Sequence, residues 1–589
     1  MRDLLHAGVA GSAVFVAAAL GCPAHAQQPS PVELEGADRD TLRAIFVTLP
    51  ERERPETLFD AERLSEEAAQ RAESWMRSEG YYAGVAIPTA QDNPLRASVK
   101  ISLGARFVFA APRVSYTDDV PDETTAAAVQ NAIGQVAPKA SARAPDVLAA
   151  ETAAVLVLQD HGYADAKAAP RLAIVDHETG EMSVAFSLTR AERVRLGAVR
   201  IEPAGVVKPQ FVEKLKAWRS GDYYRPEALV DLRRDLTATG AFTRAQVTLA
   251  PEDSETGVRD VIVHLDAAKL HTIALGASYS TVDGAGVDAE WTRRNIYGRA
   301  DSLTVSSTLA EQDQKFSVEL YRPHAAGRGR ARRYGVAIEH EDIAPYERSG
   351  VTLSASVESQ PNVKYGRSYG ASVAYNTYNQ SAGIDNALIL SGFVDMRNDL
   401  SDQKLDPRSG SILEARVEPA VAFGDESTAF IRTTGEARGY VSPGKSDRLT
   451  LAARVNLGWV QPVMGQADDL PLDRRFYAGG GGSVRGYEYR SIYPTATIMT
   501  TDPPGGQGLI ETSIEARYRT SGKLGGAIFL DGGSAFNDLD EASDMHWGAG
   551  VGLRYNLGFA PLRFDIAVPL DKRDNDPNVA FYVSLGQAF

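Results

Sequence analysis

The chain divides into two halves by the spacing of its hydrophobic residues. In the first half, runs with apolar residues three or four positions apart alternate with runs in which every second residue is apolar. The first spacing predicts helices and the second predicts strands. From about residue 271 onward the helical spacing disappears, and short alternating segments such as Leu303, Val305 and Leu309 recur. The sequence therefore predicts an α/β region followed by an all-β region.

The first half contains a repeat. Helix-like runs at 61–78, 149–159 and 226–237 each lead into a glycine, a nearby aromatic residue and two alternating segments. The glycines are Gly80, Gly162 and Gly240, and their spacing of about 80 residues indicates tandem α/β modules. Glycine is the expected stop at the end of a helix, and we expect the aromatic residue to cover the helix end against the sheet.

The alternating half has the dimensions of a membrane barrel. About sixteen segments in roughly 320 residues match the antiparallel strands of outer-membrane barrels. An even number places the start of this region and the end of the last strand on the same side, with 461–507 as a long loop on the opposite side. In the last segment, FYVSLGQAF, one face is apolar, and we expect it to contact lipid through Phe581, Val583, Leu585 and Phe589.

The first 26 residues have the features of a secretory signal peptide. They contain Arg2, an apolar stretch from Val9 to Leu20, and small residues at Ala24 and Ala26. Cys22 is the only cysteine of the chain, so cleavage after residue 26 leaves no cysteine for a disulfide. Lipid attachment at Cys22 is the alternative.

Charge and hydropathy narrow the class of protein. With 62 basic and 77 acidic residues the formal charge is −15, which argues against a nucleic-acid partner because phosphates would be repelled. No apolar run approaches the ~18 residues of a transmembrane helix. Insertion into a membrane would therefore use strands.

The most informative stretch reads FYAGGGGSVRGY, at residues 476–487. Four consecutive glycines can fold tightly into a confined space, and they place Arg485 at the tip of the loop. A buried guanidinium group is stable only beside carboxylates, so we expect the loop to dock against acidic groups. In the segment GLIETSIEARY, alternation puts Glu515 on the polar face, toward the interior of a barrel. A glycine-rich surface linker is the alternative.

The tip of this loop resembles the VRGY or VRGF lumen-loop motif of the BamA/TamA superfamily of outer-membrane assembly proteins, in the residues Val484, Arg485, Gly486 and Tyr487. The segment GAIFLDGGSAF matches the F-x-D-x-G pattern that accompanies this motif in the superfamily, with Phe529, Asp531 and Gly533. The resemblance implies that Arg485 forms ion pairs with Asp531 and Glu515 inside the barrel. Similar stretches at 293–303, 405–410 and 548–570 extend the resemblance over nearly all of the mature chain.

The end of the chain also looks like the superfamily. A phenylalanine after an alternating segment is similar to the signal by which outer-membrane barrels are themselves assembled. Phe589 would then be part of a recognition signal, and a role as an interfacial anchor is the alternative.

The resemblance implies a domain organisation. Three POTRA modules at 27–104, 105–190 and 191–268 would lie in the periplasm, and a barrel of about sixteen strands at 269–589 would lie in the outer membrane of a Gram-negative bacterium. In the superfamily such modules dock partner proteins and clients, which can add an extended strand to an exposed sheet edge. Inert spacers that hold the barrel mouth are the alternative.

Three modules and a barrel of this size look most like the TamA branch of the superfamily. The implied function is insertion of outer-membrane β-proteins, including autotransporters, with a TamB-like partner anchored in the inner membrane and with outer-membrane lipids around the barrel. A client strand needs a template edge because unpaired backbone groups are costly in hydrocarbon. A seam between the first strand (273–279) and the last (581–589) would offer that edge. The alternatives are a general BamA-type assembly platform and a pore for polypeptide or phospholipid transport, as in two-partner secretion.

Three further motifs resemble functional sites. GYVSPGKS (439–446) has the spacing of a phosphate-binding loop and GRSYG (366–370) that of a hydrolase nucleophile turn, but alternating residues rather than a helix follow both. We therefore expect GYVSPGKS to form a periplasmic hairpin turn and GRSYG to enter a strand. GRGRARR (327–333) is expected to be a solvated periplasmic turn, with contact to anionic lipid headgroups or a partner as the alternative. No HExxH or clustered cysteine and histidine set occurs, so we expect no metal, no cofactor and no enzymatic activity.

Overall fold

The computed structural model describes residues 30–251, 257–343, 345–362, 364–379, 386–424, 427–444, 448–494, 504–558, 560–573 and 576–589. The predicted signal peptide, including Cys22, lies outside these residues. Within them, no helix is long and apolar enough to cross a membrane.

The N-terminal region consists of three α/β units. The first contains β1 (Glu33–Glu35), α1 (Arg39–Thr48), α2 (Leu58–Ser78), β2 (Val85–Asp92) and β3 (Leu95–Ser102). The second contains β4 (Val108–Phe109), β5 (Arg113–Tyr116), α3 (Glu123–Ala132), α4 (Ala144–Asp160), β6 (Lys167–Asp176) and β7 (Glu181–Thr189). The third contains β8 (Arg195–Glu202), α5 (Pro209–Leu215), α6 (Pro226–Ala238), β9 (Phe242–Leu249) and β10 (Val258–Ala267). In each unit the last strand lies inside the sheet, parallel to the strands that precede the helices and antiparallel to the strand that follows them.

Helix α2 shows why these units fold as predicted. Its buried apolar residues are spaced by three or four positions and lie on one face, namely Ala61, Leu64, Ala68, Ala72 and Met76. The Thr57 side chain accepts a hydrogen bond from the Asp60 amide at the start of the helix. Gly80, with φ +93°, ends it. Burial of this face against β2 and β3 builds the core of the first unit.

The second half is a closed antiparallel barrel, in which the described residues form sixteen strands. They are β11 (His271–Ser280), β12 (Gly284–Arg294), β13 (Ser302–Ala310), β14 (Asp313–Arg322), β15 (Arg330–Ile343), β16 (Tyr346–Asn362), β17 (Tyr365–Asn379), β18 (Asn386–Asp399), β19 (Gly410–Phe423), β20 (Ser427–Val441), β21 (Leu449–Met464), β22 (Gly508–Arg519), β23 (Leu524–Phe536), β24 (His546–Asn556), β25 (Pro561–Pro569) and β26 (Ala580–Leu585). The predicted fold class is confirmed.

Alternation along each strand separates an apolar outer wall from a polar lumen. On β15, Tyr334, Val336 and Ile338 are exposed on the outside, whereas Ala337 and Glu339 are buried on the inside. Because neighbouring strands are antiparallel and the described strands number sixteen, β26 finishes on the side from which β11 enters the barrel. The connections on this side include the turn between β22 and β23 and the longer one between β18 and β19.

Neighbouring α/β units are joined at the glycines that end the second helix of each unit. The Phe107 amide donates to the Gly80 carbonyl oxygen at 2.9 Å, and the Val194 amide donates to the Gly162 carbonyl oxygen at 2.8 Å. Tyr82 adds a hydrogen bond from its hydroxyl to the Ala142 carbonyl oxygen. The helix-ending glycines therefore also join one unit to the next.

The third unit is docked on the barrel. Arg328, in the turn between β14 and β15, forms ion pairs with Asp231 and Asp235 of α6. On the neighbouring turn, the Asn295 side-chain amide donates to the Val206 carbonyl oxygen at 2.7 Å. The expectation that 327–333 is a solvated turn holds only for residues 327–329, which form an exposed turn, and even there Arg328 is paired. Arg330 onward belongs to β15, and Arg328 has carboxylate partners that lie far away in sequence.

Candidate functional site

The segment between β21 and β22, residues 465–507, is a loop that enters the lumen. Its residues 465–494 and 504–507 are described. A set of its side chains is buried in one hydrophobic cluster, which includes Phe476, Tyr477, Ala478, Val484 and Tyr487. We call this segment the lumen loop. It begins at Gly465, later than the predicted start at 461, because β21 continues to Met464.

Glycine is required at two positions of the lumen loop. Gly479 has φ +110°, and a Cβ there would lie 2.5 Å from the Glu488 carbonyl oxygen. Gly486 has φ +105°, and a Cβ there would lie 2.9 Å from the Val568 carbonyl carbon of β25. Side chains other than hydrogen would collide with backbone at both sites, and L-residues rarely adopt this conformation. The glycines let the loop approach its own backbone and the barrel wall closely.

Arg485 lies at the centre of the site and is 2% exposed. Its Nε donates to Asp531 Oδ2 at 2.6 Å, and its two terminal nitrogens reach Asp531 Oδ1 at 3.0 Å and Glu515 Oε2 at 3.1 Å. The ion pairs that the resemblance implied for Arg485 are therefore present in the structure. Its guanidinium carbon also lies 3.3 Å from the centroid of the Phe529 ring. A bidentate pair with Asp531 fixes the orientation of the guanidinium plane.

A third carboxylate partner was not predicted. Asp565 on β25 accepts from Arg485 at 3.0 Å. Its signal was present in the sequence, because Phe564, Ile566 and Val568 alternate with it and face outward. The same alternation that placed Glu515 in the lumen would have placed Asp565 there.

Further arginines surround these carboxylates. Arg554 and Arg517 both donate to Glu515, at 2.9 and 3.0 Å, and Arg554 also pairs with Asp565. Ser513 donates to Asp531. Gly533 lies on the same strand as Asp531, and a Cβ on Gly533 would collide with the Val484 side chain. Charges of both signs thus alternate within a buried network, which is the arrangement that makes buried ions tolerable.

The lumen loop also contacts the wall opposite the Arg485 network. Arg490 pairs with Glu341 of β15, and Arg474 pairs with Glu418 of β19 at 3.3 Å. The Asn376 side-chain amide of β17 donates to Asp473 at 3.1 Å. The loop therefore crosses the lumen and is fixed on both sides.

Two backbone amides of the lumen loop contact the first and last strands of the barrel. The Gly486 amide donates to the Tyr582 hydroxyl of β26 at 2.9 Å. The Gly481 amide donates to the carboxylate of Asp283, in the turn after β11, at 3.2 Å. Desolvation raises the pKa of the Asp283 carboxyl to about 6, and the hydrogen bond from Gly481 partly offsets this. The loop thus touches both strands that close the barrel.

The junction between β11 and β26, which we call the seam, is short. Within the described residues β11 and β26 share two residue pairs, Tyr279–Val583 and Ser280–Tyr582. Thr281 adds two hydrogen bonds to Phe581, one from its amide and one to its hydroxyl. By contrast, β11 pairs with β12 along its whole length, from His271 to Ser280. Residues 271–278 of β11 therefore have no strand partner on the seam side within the part of the chain that is described.

The predicted lipid-facing row of the last strand is only partly correct. Phe581 is 47% exposed on the outer wall, and Val583 and Leu585 follow on that side. The strand ends at Leu585, and Gly586 turns the chain inward with φ +93°. Phe589 is buried in the lumen instead, against the inward-facing residues Ile412, Tyr440 and Ala452. The expectation that Phe589 faces lipid is therefore wrong.

The inward turn has a physical cause. Gln587 finds polar partners in the lumen, because its side chain accepts from Arg554 at 2.9 Å and donates to Asp406 at 3.0 Å. The Phe589 carbonyl oxygen accepts from Arg517 at 3.0 Å. A glutamine on the lipid face would have none of these hydrogen bonds.

The motifs that resemble enzyme sites are parts of barrel strands and their connections. GRSYG forms part of β17. In GYVSPGKS, residues 439–441 end β20, residues 442–444 follow it, and residues 445–446 lie outside the described set. Among the described residues, no group of three histidine, cysteine, aspartate or glutamate side chains is placed to hold a metal ion.

Comparison with known proteins places the barrel in a family. A model of the Omp85 superfamily domain matches residues 295–589, which is half of the chain. The chain belongs to the Omp85 superfamily. Omp85 barrels reside in the outer membrane and carry their POTRA domains in the periplasm. The barrel of this chain matches those barrels. This Omp85 protein therefore lies in the outer membrane, with its α/β units on the periplasmic side.

Individual relatives are more distant. The chain is 24% identical over 451 residues to the outer membrane protein assembly factor BamA of Nitratidesulfovibrio vulgaris, covering 73% of this chain and 56% of that protein. It is 20% identical over 473 residues to BamA of Neisseria meningitidis serogroup B, covering 70% and 59%. The chain thus spans somewhat more than half the length of these curated relatives. A crystal structure of BamA from Haemophilus ducreyi lacking POTRA domains 1–3 superposes with a TM-score of 0.65 at 15% identity, covering 81% of this chain and 100% of that one, so the fold is shared.

Proposed function

We propose that this Omp85 protein inserts β-barrel proteins into the outer membrane by offering the edge of its seam to a client strand. The observation that carries the proposal is the length of the seam, since 271–278 of β11 have unpaired backbone groups facing β26 among the described residues. A strand edge is a template for pairing with another chain. A client strand that pairs with it satisfies its own backbone before it enters hydrocarbon.

We further propose the domain boundaries and the branch of the family. The α/β units would be POTRA modules at 27–104, 105–190 and 191–268, and the barrel would occupy 269–589. Three modules favour a TamA-like role in the assembly of autotransporters and other outer-membrane proteins, together with a TamB-like partner. A general BamA-type platform is the competing assignment.

The seam is tested by a reversible crosslink. Tyr279 and Val583 are directly opposed and both face outward, so Tyr279→Cys with Val583→Cys meets the distance requirement of a disulfide. The matched control is Val287→Cys with Leu309→Cys, an outward pair between β12 and β13, which are paired along their length. We expect oxidation of the seam pair to stop client insertion into vesicles and reductant to restore it, while the control stays active in both states. Undiminished insertion by the oxidised seam pair would refute the proposal.

The branch of the family is tested by the partner. Crosslinking in membranes that contain the full chain, with a photoreactive residue placed in 30–267, should capture an inner-membrane-anchored, β-rich protein if the assignment is TamA-like. Capture of outer-membrane assembly lipoproteins would instead support the BamA-type platform. Neither result changes how the seam experiment is interpreted, because that experiment does not depend on the identity of the partner.

A further inference from the structure

Four arginines on the outer wall of the barrel form a patch at its periplasmic end. They lie on three strands within the run β14–β17 and are Arg322, Arg330, Arg332 and Arg367. Their direction follows from alternation, since Arg330 and Arg332 share the face of β15 that exposes Tyr334 and Val336. Arg330, Arg332 and Arg367 are exposed and Arg322 is half-buried. We call this set the arginine patch.

The strand register brings the patch together. Arg322 and Arg332 are direct partners across β14 and β15, so their Cβ atoms are about 5 Å apart. Arg330 and Arg367 flank Ser359, which is the direct partner of both on the intervening strand β16. Arg330 and Arg367 lie two strand spacings apart, or roughly 10 Å. Both side chains are long enough to contact one phosphate placed between them. The small side chain of Ser359 leaves the space between them open.

The patch contains uncompensated positive charge. No carboxylate of the described residues pairs with any of these four guanidinium groups. Like charges directly opposed on a sheet destabilise it. The neighbouring inward arginine, Arg333, shows the contrast, because it pairs with both Glu319 and Glu358. Arg333, which faces the lumen, is thus neutralised by two carboxylates, whereas the four outward arginines have no carboxylate partner among the described residues.

The patch lies at the level of lipid headgroups. On β15 the outward residues run from Arg330 and Arg332 through Tyr334 to aliphatic Val336, and on β17 Arg367 lies between Tyr365 and Tyr369. Aromatic belts mark the interface between hydrocarbon and headgroups in membrane barrels. The arginines are therefore placed where phosphates of the periplasmic leaflet lie.

The opposite wall lacks this feature. On the described strands β18–β26, the last two outward positions at the periplasmic end are uncharged, for example Met396 and Asn398 on β18, Leu449 and Leu451 on β21, and Ala516 and Tyr518 on β22. An arginine that merely snorkels to the interface could occur on any strand. Outside β14–β17, the described strands place one further outward arginine at this end, Arg293 of β12, so four of the five lie together on β14–β17 and indicate a localised site.

We propose that the arginine patch binds the headgroup of an anionic phospholipid, such as phosphatidylglycerol, in the periplasmic leaflet. Guanidinium groups bind phosphate bidentately, and a phosphate between Arg322 and Arg332 offsets their mutual repulsion. The turn between β14 and β15 also carries Arg328, which docks the third α/β unit through Asp231 and Asp235. The bound lipid would thus lie beside the contact between the barrel and its periplasmic region.

The test uses the full chain in nanodiscs made from equal parts of phosphatidylglycerol and phosphatidylethanolamine, followed by native mass spectrometry of the lipids that stay bound. The wild-type protein should retain phosphatidylglycerol preferentially, by about fivefold for each arginine that contacts a headgroup. The variant R322Q/R330Q/R332Q/R367Q should lose this preference. The matched control R39Q/R43Q/R54Q/R71Q removes four exposed arginines from the first α/β unit and should keep it.

Three results would overturn the proposal. They are an unchanged preference in the patch variant, an equal loss in the control, and displacement of the bound lipid by inorganic phosphate alone, which would indicate a site for free anions. Heat-modifiable gel mobility shows whether the patch variant is folded. If it is not, the double variants R322Q/R332Q and R330Q/R367Q give the same measurement, and each should lower the preference.

Discussion

The seam and the wall of β16 and β17 are held together by different means. The pairing of β16 with β17 runs from Glu347–Asn379 to Asn362–Tyr365, so the backbone alone joins these strands. At the seam the backbone contributes two residue pairs among the described residues, and the lumen loop contacts both sides through Asp283 and Tyr582. Closure at the seam therefore depends on a few side chains. Such contacts can be lost singly, whereas separation of the long ladder requires many backbone hydrogen bonds to break.

The change with the largest expected effect is Arg485→Ala, which removes the centre of the lumen-loop network. It leaves Glu515, Asp531 and Asp565 buried with one cation fewer, at a cost of about 3–5 kcal/mol. We expect a marked fall in the temperature at which the folded band of a cold gel is lost, together with loss of client insertion. Arg485→Lys should recover part of the loss, since it keeps the charge but not the bidentate pair. An unchanged transition temperature would mean that the network does not hold the loop.

A smaller loss is expected for Gly486→Ala. The substitution forces a Cβ into a left-handed backbone conformation and against Val568, which costs at least about 2 kcal/mol. Gly439→Ala on β20 is the matched control, because nothing lies within 4 Å of a Cβ built there. The same gel assay should separate the two variants, and equal transition temperatures would contradict the close approach of the loop to β25.

Tyr582→Phe should act on the seam more than on the rest of the barrel. It leaves the buried Gly486 amide without its acceptor, at a cost of about 1–3 kcal/mol. Tyr440→Phe is the control, because the Tyr440 hydroxyl is buried in the lumen without a hydrogen-bond partner among the described residues. Hydrogen exchange of the amides in 580–585 should accelerate in the first variant and not in the second. Acceleration spread equally over β16 and β17 would remove the distinction between the two regions.

The smallest effect is a spectroscopic one, and it checks the inward turn after β26. Tryptophan placed at position 581 should be quenched strongly by brominated lipids because Phe581 is on the outer wall. Tryptophan at position 589 should be quenched little, since Phe589 is inside the lumen. The fluorescence of the unmodified protein, with its 5 tryptophans, is subtracted in each case. Strong quenching at both positions would restore the lipid-facing row that the alternation of the last segment suggests.

Much of the fold could be predicted because its signals are local. Helical and strand spacing predicted the order of elements in the α/β units, and alternation predicted the number of barrel strands and the inward direction of Glu515. The pairing of Arg485 with Asp531 came from a resemblance to known sequences and is present in the structure. Asp565 faces the lumen by the same alternation on β25.

The remaining features depend on contacts between residues far apart in the chain. Alternation of the last segment continues to Phe589, and only the lumen partners of Gln587 explain why the strand ends at Leu585. Arg328 appears solvated in sequence because its partners lie almost 100 residues away on α6. The length of the seam is set by how the first and last strands meet when the barrel closes, and no spacing within either strand encodes that.

The lumen loop has a consequence for the permeability of the cell envelope. Its contacts with β15 and β19, through Arg490 and Arg474, do not involve either strand of the seam. If β26 separates from β11, these contacts keep the loop across the axis of the barrel. Solutes such as detergents and antibiotics would then still meet the loop inside the lumen while the side of the barrel is open. Opening of this wall would thus not by itself release the loop from the lumen.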